Sequence, residues 1–414
     1  MNSATATTVP ARRSFAALRQ PGYRGFFFSF AGAMMADSIE HVISYWVMFE
    51  KFHSPALGAF AVVSHWLPFL LLSIPVGALT DRFDPRRMIQ IGMLIFMGVS
   101  ITWGVLFITD ALQMWHAMVL LVMHGIAGVL WSPVSQVLLH HVVPPEQLQS
   151  AVRLNATSRY LGLLAGPAIG GGILLLFGPS YGILFNALLY LPTIIWLWKA
   201  PYQRAKGPVP RALLSVSDIT STLRRIAAHP VLLSMILLSG GASFFIGNAY
   251  QAQMPGFAQA LGRVNADLSY SLLLGADAAG ALAAGFLLES RGWLPPNPRT
   301  AIVLALLWCC ALAGFALSSW YSLALLMLFI AGFVELSFNS MSQTLVQLNA
   351  PSDIRGRVIG VFSMAALGLR TFSGLTVGLV GAAIGIHWSL IASALAVLTL
   401  GALLLARSSR AAHT

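Results

Sequence analysis

Several acidic and basic side chains lie inside stretches of the chain that are otherwise apolar. The acids are Asp37, Glu40, Asp277 and Glu335, and the bases are Arg159 and Arg370. An ionisable group that faces lipid costs at least about 2.5–3.5 kcal/mol. Four carboxyl groups face only two guanidinium groups, so pairing leaves a surplus of acids. A surplus carboxyl group in a dehydrated cavity readily holds a proton, which predicts a proton carrier.

Asp37, Glu40, His41 and Ser44 recur at helical spacing and therefore share one helix face. A polar stripe on an apolar helix must point into a cavity or a polar interface. Asp37 and His41 also form an i, i+4 carboxylate–imidazole pair, a spacing that can chelate a divalent metal ion. The remaining histidines, among them His65, are scattered along the sequence, so only two ligands are visible. A lone histidine in such a segment is more often a hydrogen-bonded packing residue.

The composition excludes several classes of protein. Of the 414 residues, 57% are apolar and only 9% are charged, whereas soluble domains carry about 25% charged residues. Lipid must therefore be the main solvent, which excludes a soluble enzyme, a disordered regulator and a secreted disulfide scaffold. We find no phosphate-binding loop and no paired catalytic motif, so we expect neither an enzyme, nor a cofactor, nor ATP as the energy source.

Twelve stretches are long and apolar enough to cross a bilayer as helices, each of which needs roughly 20 residues. We therefore predict an all-α membrane protein. The predicted spans are 26–49, 57–79, 88–109, 113–139, 153–177, 180–198, 231–255, 268–288, 300–318, 320–346, 358–384 and 386–406.

The position of the basic residues predicts the orientation. All but four of the 24 Lys and Arg residues fall in the tails and in alternate loops, and such residues collect on the cytoplasmic side. Both termini should therefore be cytoplasmic, in a bacterial-type inner membrane. The net charge of +11 is mostly a topology signal, so we do not expect a nucleic-acid partner.

The loop between predicted spans 6 and 7 divides the chain. We predict a cytoplasmic tail over 1–24, a six-helix bundle over 25–199, a cytoplasmic linker with an amphipathic helix over 200–229, a second bundle over 230–407 and a tail over 408–414. The segment from Pro145 to Val152 recurs 206 positions later from Pro351 to Val358. Parallel six-helix repeats of this kind are typical of secondary transporters, with the substrate site between the halves.

Two motifs carry a resemblance that covers the chain from about residue 20 to 407. The loop after span 2 contains Gly77, Leu79, Asp81, Arg82, Arg86 and Arg87. Span 5 contains Gly162, Gly166, Pro167, Gly170 and Gly171. With Arg355-Gly356-Arg357-Val358 before span 11, this pattern resembles the major facilitator superfamily. It is most similar to the subgroup of multidrug, macrolide and siderophore exporters.

The resemblance implies roles for these residues. In the superfamily the loop 2–3 motif latches the two bundles, a role that would fall to Asp81 and Arg82; a simple topology anchor is the alternative. The span 5 motif would form a kinked, tightly packed helix that limits leak, although ordinary packing explains the glycines equally well. Spans 1, 4, 7 and 10 would line the cavity, where Asp37, His124, Asn248 and Glu335 would converge.

We therefore expect a carrier that exports a small lipophilic molecule in exchange for protons by alternating access. Asp37 and Glu335 are the expected coupling carboxylates, Glu40 contributes, and Arg159 and Arg370 are their charge partners. A permanent Glu335–Arg370 pair and a packing role for Asp277 remain open. Two other functions also remain: a divalent metal exporter that uses Asp37 and His41, as in the similar ferroportin, and a transport-dead sensor or assembly factor.

Overall fold

The computed structural model describes residues 14–200, 215–262 and 266–410, and helices joined by short turns make up most of this length. We call residues 14–200 the N-terminal half and residues 215–410 the C-terminal half. The helices of the N-terminal half are α1 (Pro21–Phe52), α2 (Pro55–Thr80), α3 (Pro85–Ile108), α4 (Met114–Val142), α5 (Leu148–Ala187) and α6 (Leu191–Lys199).

The C-terminal half begins with α7, which lies within the predicted linker. Its helices are α7 (Val216–Ala228), α8 (Pro230–Phe245), α9 (Ala249–Ala252), α10 (Met254–Ala260), α11 (Ala266–Arg291), α12 (Pro298–Leu317), α13 (Tyr321–Asn349), α14 (Arg355–Ala366), α15 (Val380–Ile384) and α16 (Ile386–Arg410). Short 3₁₀ and π turns connect α14 to α15. Parts of the predicted tails and linker (1–13, 201–214 and 411–414) lie outside the described residues.

Local sequence explains where several helices begin. Asp84 accepts a hydrogen bond from the backbone N–H of Arg86 and so caps α3, with Pro85 in the first turn. Asn297 caps α12 in the same way. Side-chain caps and an early proline both satisfy or remove the free N–H groups of a helix start. Asp84 has φ −66°, so the turn after α2 does not need a glycine at this position.

Nine helices in the described part of the chain are long and apolar enough to cross a membrane. The helices of predicted spans 1 and 11 are not among them, and spans 5 and 6 count as one stretch, Ile169–Lys199. Helix α1 carries several charges, and span 11 is divided into α14, α15 and the turns between them. The number twelve and the orientation of the termini therefore stay predictions. Gly178, with φ +71°, interrupts the helical run at the predicted turn between spans 5 and 6, a conformation that glycine adopts at little cost.

Each half has its own apolar interior. One cluster of buried side chains extends from Ile226 to Leu404, and the main cluster of the N-terminal half extends from Ala17 to Leu197, with Leu367 added from α14 and its turn. The amphipathic helix predicted for the linker is present as α7, which buries Thr222 and Ile226. Arg225 of α7 forms an ion pair with Asp353, at 2.6 Å.

The two halves approach most closely where α2 crosses α14. A methyl group on Gly77 would overlap the carbonyl of Gly356 and lie 2.9 Å from the Cα of Gly360. Gly77 is helical and lies within α2, so it does not form the turn between α2 and α3. It instead allows two backbones from different halves to touch. We call this end of the molecule, marked by the α2–α3 turn, the basic end.

Replacing Gly77 with Leu should separate the halves at the basic end. A side chain at this crossing requires about 2 Å of additional helix separation. Spin labels at Phe83 and Ser352, in a variant without Cys309 and Cys310, would measure the distance by pulsed electron resonance. Gly98→Leu is the matched control, because nothing lies within 4 Å of a methyl group there. An unchanged distance in Gly77→Leu would contradict the assigned crossing.

Candidate functional site

A cavity of about 460 Å³ lies between the two halves. Aromatic side chains form much of its wall, and five ionisable side chains of the predicted set reach it: Asp37, His41 and Arg159 from the N-terminal half, and Glu335 and Arg370 from the C-terminal half. The aromatic residues of the wall are Phe30, Tyr45, Trp66, Phe69, Phe96, Trp131, Tyr160 and Phe362. An apolar wall with a few convergent charges is typical of a small-molecule site.

Amide groups also line the cavity. They belong to Gln136, Asn155, Asn248, Gln251, Asn339 and Gln343. Gln136 and Asn155 lie on α4 and α5, and their orientation could not be read from spacing alone. The wall therefore offers hydrogen-bonding groups to a solute as well as aromatic faces.

Asp37, Glu40 and His124 form one buried cluster in the N-terminal half. The ring nitrogens of His124 lie 2.9 Å from Asp37 Oδ1 and 2.8 Å from Glu40 Oε1. Ser100 of α3 donates a hydrogen bond to the other oxygen of Glu40. His124 can donate to both carboxylates only as the imidazolium. The imidazole ring of His124 on α4 thus connects two carboxyl groups of α1.

His41 and His65 complete this cluster on the cavity side. His41 Nδ1 donates a hydrogen bond to the backbone carbonyl of Asp37, at 2.7 Å. One ring nitrogen each of His41, His65 and His124 lies within 4.8 Å of the others. His65 Nδ1 is buried and has no hydrogen-bond partner within residues 14–200, 215–262 and 266–410. Histidines that are scattered along the sequence are therefore brought together by α1, α2 and α4.

A second buried cluster lies in the C-terminal half. The hydroxyl group of Tyr250 lies 3.2 Å from Asp277 Oδ2 and 3.4 Å from Glu335 Oε2. Gln251 donates a hydrogen bond to the same oxygen of Asp277, at 3.1 Å. Asn339 Nδ2 lies 3.4 Å from Glu335 Oε1. Two carboxyl groups therefore share one hydroxyl group inside the protein.

The two arginines at the cavity form no ion pair within 4 Å in the part of the chain that the structure describes. Arg370 donates a hydrogen bond to the carbonyl of Ala366 and lies over the ring of Trp66, at 5.2 Å. A cation in contact with an aromatic face gains about 0.5–2 kcal/mol. A permanent Glu335–Arg370 salt bridge, which the sequence left open, is absent from these described residues.

The structure separates the predicted site residues into two groups. Asp37, His41, Asn248 and Glu335 line the cavity. These residues lie on several different helices. Glu40, His124 and Asp277 are buried behind this wall, so the predicted stripe on α1 does not face the cavity as a whole. Tyr250 and Tyr160 escaped the sequence analysis, and His65 was noted only as a scattered histidine, because a histidine or tyrosine in an apolar run has no signal of its own.

The loop 2–3 motif connects the halves at the basic end. Asp81 accepts hydrogen bonds from the backbone N–H groups of Gly356, at 2.7 Å, and Arg357, at 3.3 Å. The Arg357 side chain lies 3.5 Å from the same carboxylate. These N–H groups begin α14, where the helix dipole favours a negative charge. Arg86 instead binds Asp84, and Arg82 makes none of these contacts.

A second contact at the basic end joins α5 to α11. Ser150 donates a hydrogen bond to Glu289. Arg153 donates to the backbone carbonyls of Trp293 and Leu294, at 2.6 and 2.7 Å. The chain between α11 and α12 is therefore bound to the start of α5.

The span 5 glycines pack against α1. A methyl group on Gly162 would lie 3.1 Å from Met34, and one on Gly170 would lie 3.3 Å from Ile39 and Val42. Gly166 is in still closer contact with Ser38, whereas nothing lies within 4 Å of Gly171. Gly162, Gly166 and Gly170 therefore share one packing face, as their spacing of four residues indicates. The Pro167 side chain lies outside the described residues.

The fold and the cavity together define a class of protein: a multi-pass membrane protein with a solute-sized cavity between its two halves. A family model described as "transmembrane secretion effector", of the major facilitator superfamily, matches residues 12–413. The chain belongs to this family and is a transporter, not an enzyme. The resemblance to exporters of the superfamily is thereby confirmed.

Two relatives are similar in sequence. The multidrug efflux pump Tap of Mycolicibacterium fortuitum is 24% identical over 371 residues, which cover 86% of this chain and 88% of Tap. The MFS-type transporter YfiS of Bacillus subtilis is 26% identical over 198 residues, which cover 46% of this chain and 45% of YfiS.

Solved structures share the fold. A bacterial homologue of the iron transporter ferroportin, in an outward-facing state with soaked iron, has a TM-score of 0.69 at 16% identity and covers 96% of this chain and 100% of its own. The human organic anion transporter MFSD10 gives 0.68 at 14% identity with the same coverage. The fucose:proton symporter FucP of E. coli gives 0.67 at 14% identity, covering 94% of this chain and 97% of its own.

Replacing Glu40 with Ala should destabilise the protein strongly. The change leaves one nitrogen of buried His124 and the Ser100 hydroxyl without their acceptor, and breaking a buried ion pair costs about 3–5 kcal/mol. Thermal unfolding of the detergent-purified protein would measure the effect. Glu50→Ala, at the exposed end of the same helix, should change the unfolding temperature little. Equal unfolding temperatures for the two variants would contradict the cluster.

Proposed function

We propose that the protein exports a small lipophilic molecule across the bacterial inner membrane and takes up protons in exchange. The observation that carries this proposal is the cavity between the halves, in which Asp37 and Glu335 stand on opposite walls among aromatic side chains. Aromatic faces suit a lipophilic solute, and carboxylates suit a cationic group or a proton. The printed activity of Tap, multidrug efflux, supports the same class of solute.

We assign the transported proton to Glu335 and its partner Asp277. The two carboxyl groups share the hydroxyl of Tyr250, and a hydroxyl has only one hydrogen to donate. Two carboxylates in one dehydrated site repel each other, which favours one bound proton. Glu335 lines the cavity and Asp277 lies behind it, so a solute bound at Glu335 can displace that proton. Coupling through Asp37 stays a prediction.

The conformation supports alternating access. The halves touch at the basic end, through Gly77 and Gly356, through Asp81, and through Ser150 and Glu289. If the distribution of arginines places the basic end in the cytoplasm, the cavity belongs to a state closed to the cytoplasm. Export then requires these contacts to break so that the solute can enter from inside. We propose that Asp81 is the latch that holds the closed state.

A divalent metal exporter is the second candidate. The observation that favours it is the group of three imidazole rings beside Asp37. Inverted membrane vesicles distinguish the two functions, because an exporter of either kind moves protons only when its own solute is added. Collapse of a pre-formed pH gradient with tetraphenylphosphonium or ethidium supports the organic solute. Collapse with Ni²⁺, Co²⁺ or Fe²⁺ alone supports the metal.

Replacing Glu335 with Gln should abolish solute-driven proton movement in these vesicles, because an amide cannot carry the proton. We expect the rate of gradient collapse to fall at least about tenfold, as for the loss of an acid–base group. Glu146→Gln, at an exposed position in the loop before α5, is the matched control. Unchanged unfolding temperature would exclude misfolding, and normal proton movement in Glu335→Gln would contradict the assignment.

The latch should depend on pH. Burial raises the pKa of Asp81 from 3.8 to about 6 in the closed state. If opening exposes the carboxyl group, its pKa falls toward the lower value, so closing takes up a proton between about pH 4 and 6. Lowering the pH through this window should favour the closed state, by at most about tenfold per pH unit.

Distances between spin labels at Phe83 and Ser352 measure this equilibrium. The closed fraction of the wild type should rise between pH 7 and pH 5, whereas Asp81→Asn should show little change over the same range. Asp110→Asn, at an exposed position just beyond the opposite end of α3, should respond to pH as the wild type does. A pH response that persists in Asp81→Asn would assign it to another group.

A further inference from the structure

We propose that His41, His65 and His124, together with Asp37, form a binding site for one divalent transition-metal ion. The site lies in the wall of the N-terminal half, where three helices each contribute an imidazole. The proposal concerns binding and does not depend on which solute the protein exports.

The three histidines lie close enough to share one ion after small movements. One ring nitrogen of each lies within 4.8 Å of the others, whereas ligands of a four-coordinate zinc ion, at about 2.0–2.1 Å from the metal, are about 3.4 Å apart. The rings pack edge to face, with centroids 5.0 Å apart for His41–His65 and 4.7 Å apart for His41–His124. Rotation of the side chains can close the remaining gap.

His65 is the residue that most directly indicates a ligand. Its Nδ1 atom is buried and has no hydrogen-bond partner among the described residues. A buried polar atom without a partner costs about 1–3 kcal/mol, so a bound cation would compensate for this loss. His65 also lines the cavity, as do His41 and Asp37, so an ion can reach it through the cavity.

The other two histidines are held in the orientation that a metal ligand requires. His41 donates its Nδ1–H to the backbone carbonyl of Asp37, which leaves the lone pair of Nε2 free. Glu40 accepts from His124 Nδ1 and so directs Nε2 toward Asp37. Metal-binding histidines commonly donate their second N–H to a carbonyl or carboxylate in this way.

Asp37 supplies the fourth ligand. Its Oδ1 atom lies 2.9 Å from His124 Nε2, so an ion that enters here takes the place of the hydrogen between these two atoms. The proton on Nε2 passes to water in the cavity as the nitrogen lone pair binds the ion. The two atoms then move apart by about 0.5 Å to reach ligand spacing.

The donor set selects the class of ion. Three imidazole nitrogens and one carboxylate oxygen suit Zn²⁺, Co²⁺ and Ni²⁺, whereas Mg²⁺ and Ca²⁺ prefer oxygen ligands. The structure brings no cysteine to this group, so a soft ion such as Cu⁺ is not favoured. We therefore expect binding of borderline divalent ions that an excess of Mg²⁺ does not displace.

Titration of the purified, full-length protein with Co²⁺ tests the proposal. Four-coordinate Co²⁺ absorbs visible light far more strongly than the hydrated ion, so the spectrum reports the geometry as well as the stoichiometry. We expect one ion per chain, displaced by Zn²⁺ and not by Mg²⁺. His65→Gln should weaken binding at least about tenfold, and it should fold normally because no hydrogen bond to Nδ1 is lost.

The matched control is His387→Gln. His387 is a half-buried histidine of α16 whose Nδ1 also donates to a backbone carbonyl, that of Ala316, at 2.6 Å. The His387→Gln variant should bind Co²⁺ with the affinity of the wild type. Glu335→Gln should also bind Co²⁺ normally, which separates this proposal from proton coupling. Absence of Co²⁺ binding by the wild type would overturn the proposal, and so would an affinity equal to that of the wild type in His65→Gln and in His41→Gln.

Discussion

Hydrocarbon cannot solvate a charge, and this constraint organises the interior of the protein. The four acids in apolar segments avoid lipid because each contacts a polar group of another helix or the cavity. His124 serves two of them, and Tyr250 serves the other two. Each half thus concentrates two carboxyl groups around one side chain. The cavity lies between the two clusters, so a solute that enters it meets both.

Contact between the halves depends on a different constraint, the close approach of two backbones. Gly77 and Gly356 lack side chains at the crossing of α2 and α14, so the helix start at Gly356 comes within hydrogen-bond distance of Asp81. A side chain at either glycine would move the N–H groups of α14 away from the carboxylate. The glycine and the acid of the loop motif therefore act on one contact, which explains their spacing better than a turn does.

Much of the fold could be predicted from the sequence, because runs of apolar residues and caps such as Asp84 are local signals. The shared face of Gly162, Gly166 and Gly170 was also readable, since 3.6 residues per turn fixes it. The histidine cluster was not readable, because His41, His65 and His124 lie on three helices whose relative rotation no local pattern specifies. The spacing along α1 also predicted that Glu40 shares the cavity-facing side of the helix with Asp37. Glu40 instead lies against α3 and α4, where it contacts Ser100 and His124.

The internal repeat relates the two contacts at the basic end. Asp81 and Glu289 occupy corresponding positions 208 residues apart, and Ser150 and Gly356 correspond at a spacing of 206. In each case a carboxylate at the end of the second predicted span of one half (span 2 or 8) meets the beginning of the fifth predicted span of the other (span 11 or 5). The acceptor is the same, but the donor is a backbone N–H at Gly356 and a side-chain hydroxyl at Ser150. Because the hydroxyl lies on a rotatable side chain and the N–H is fixed by the helix, the contact at Asp81 is the more sensitive of the two to a change in helix position.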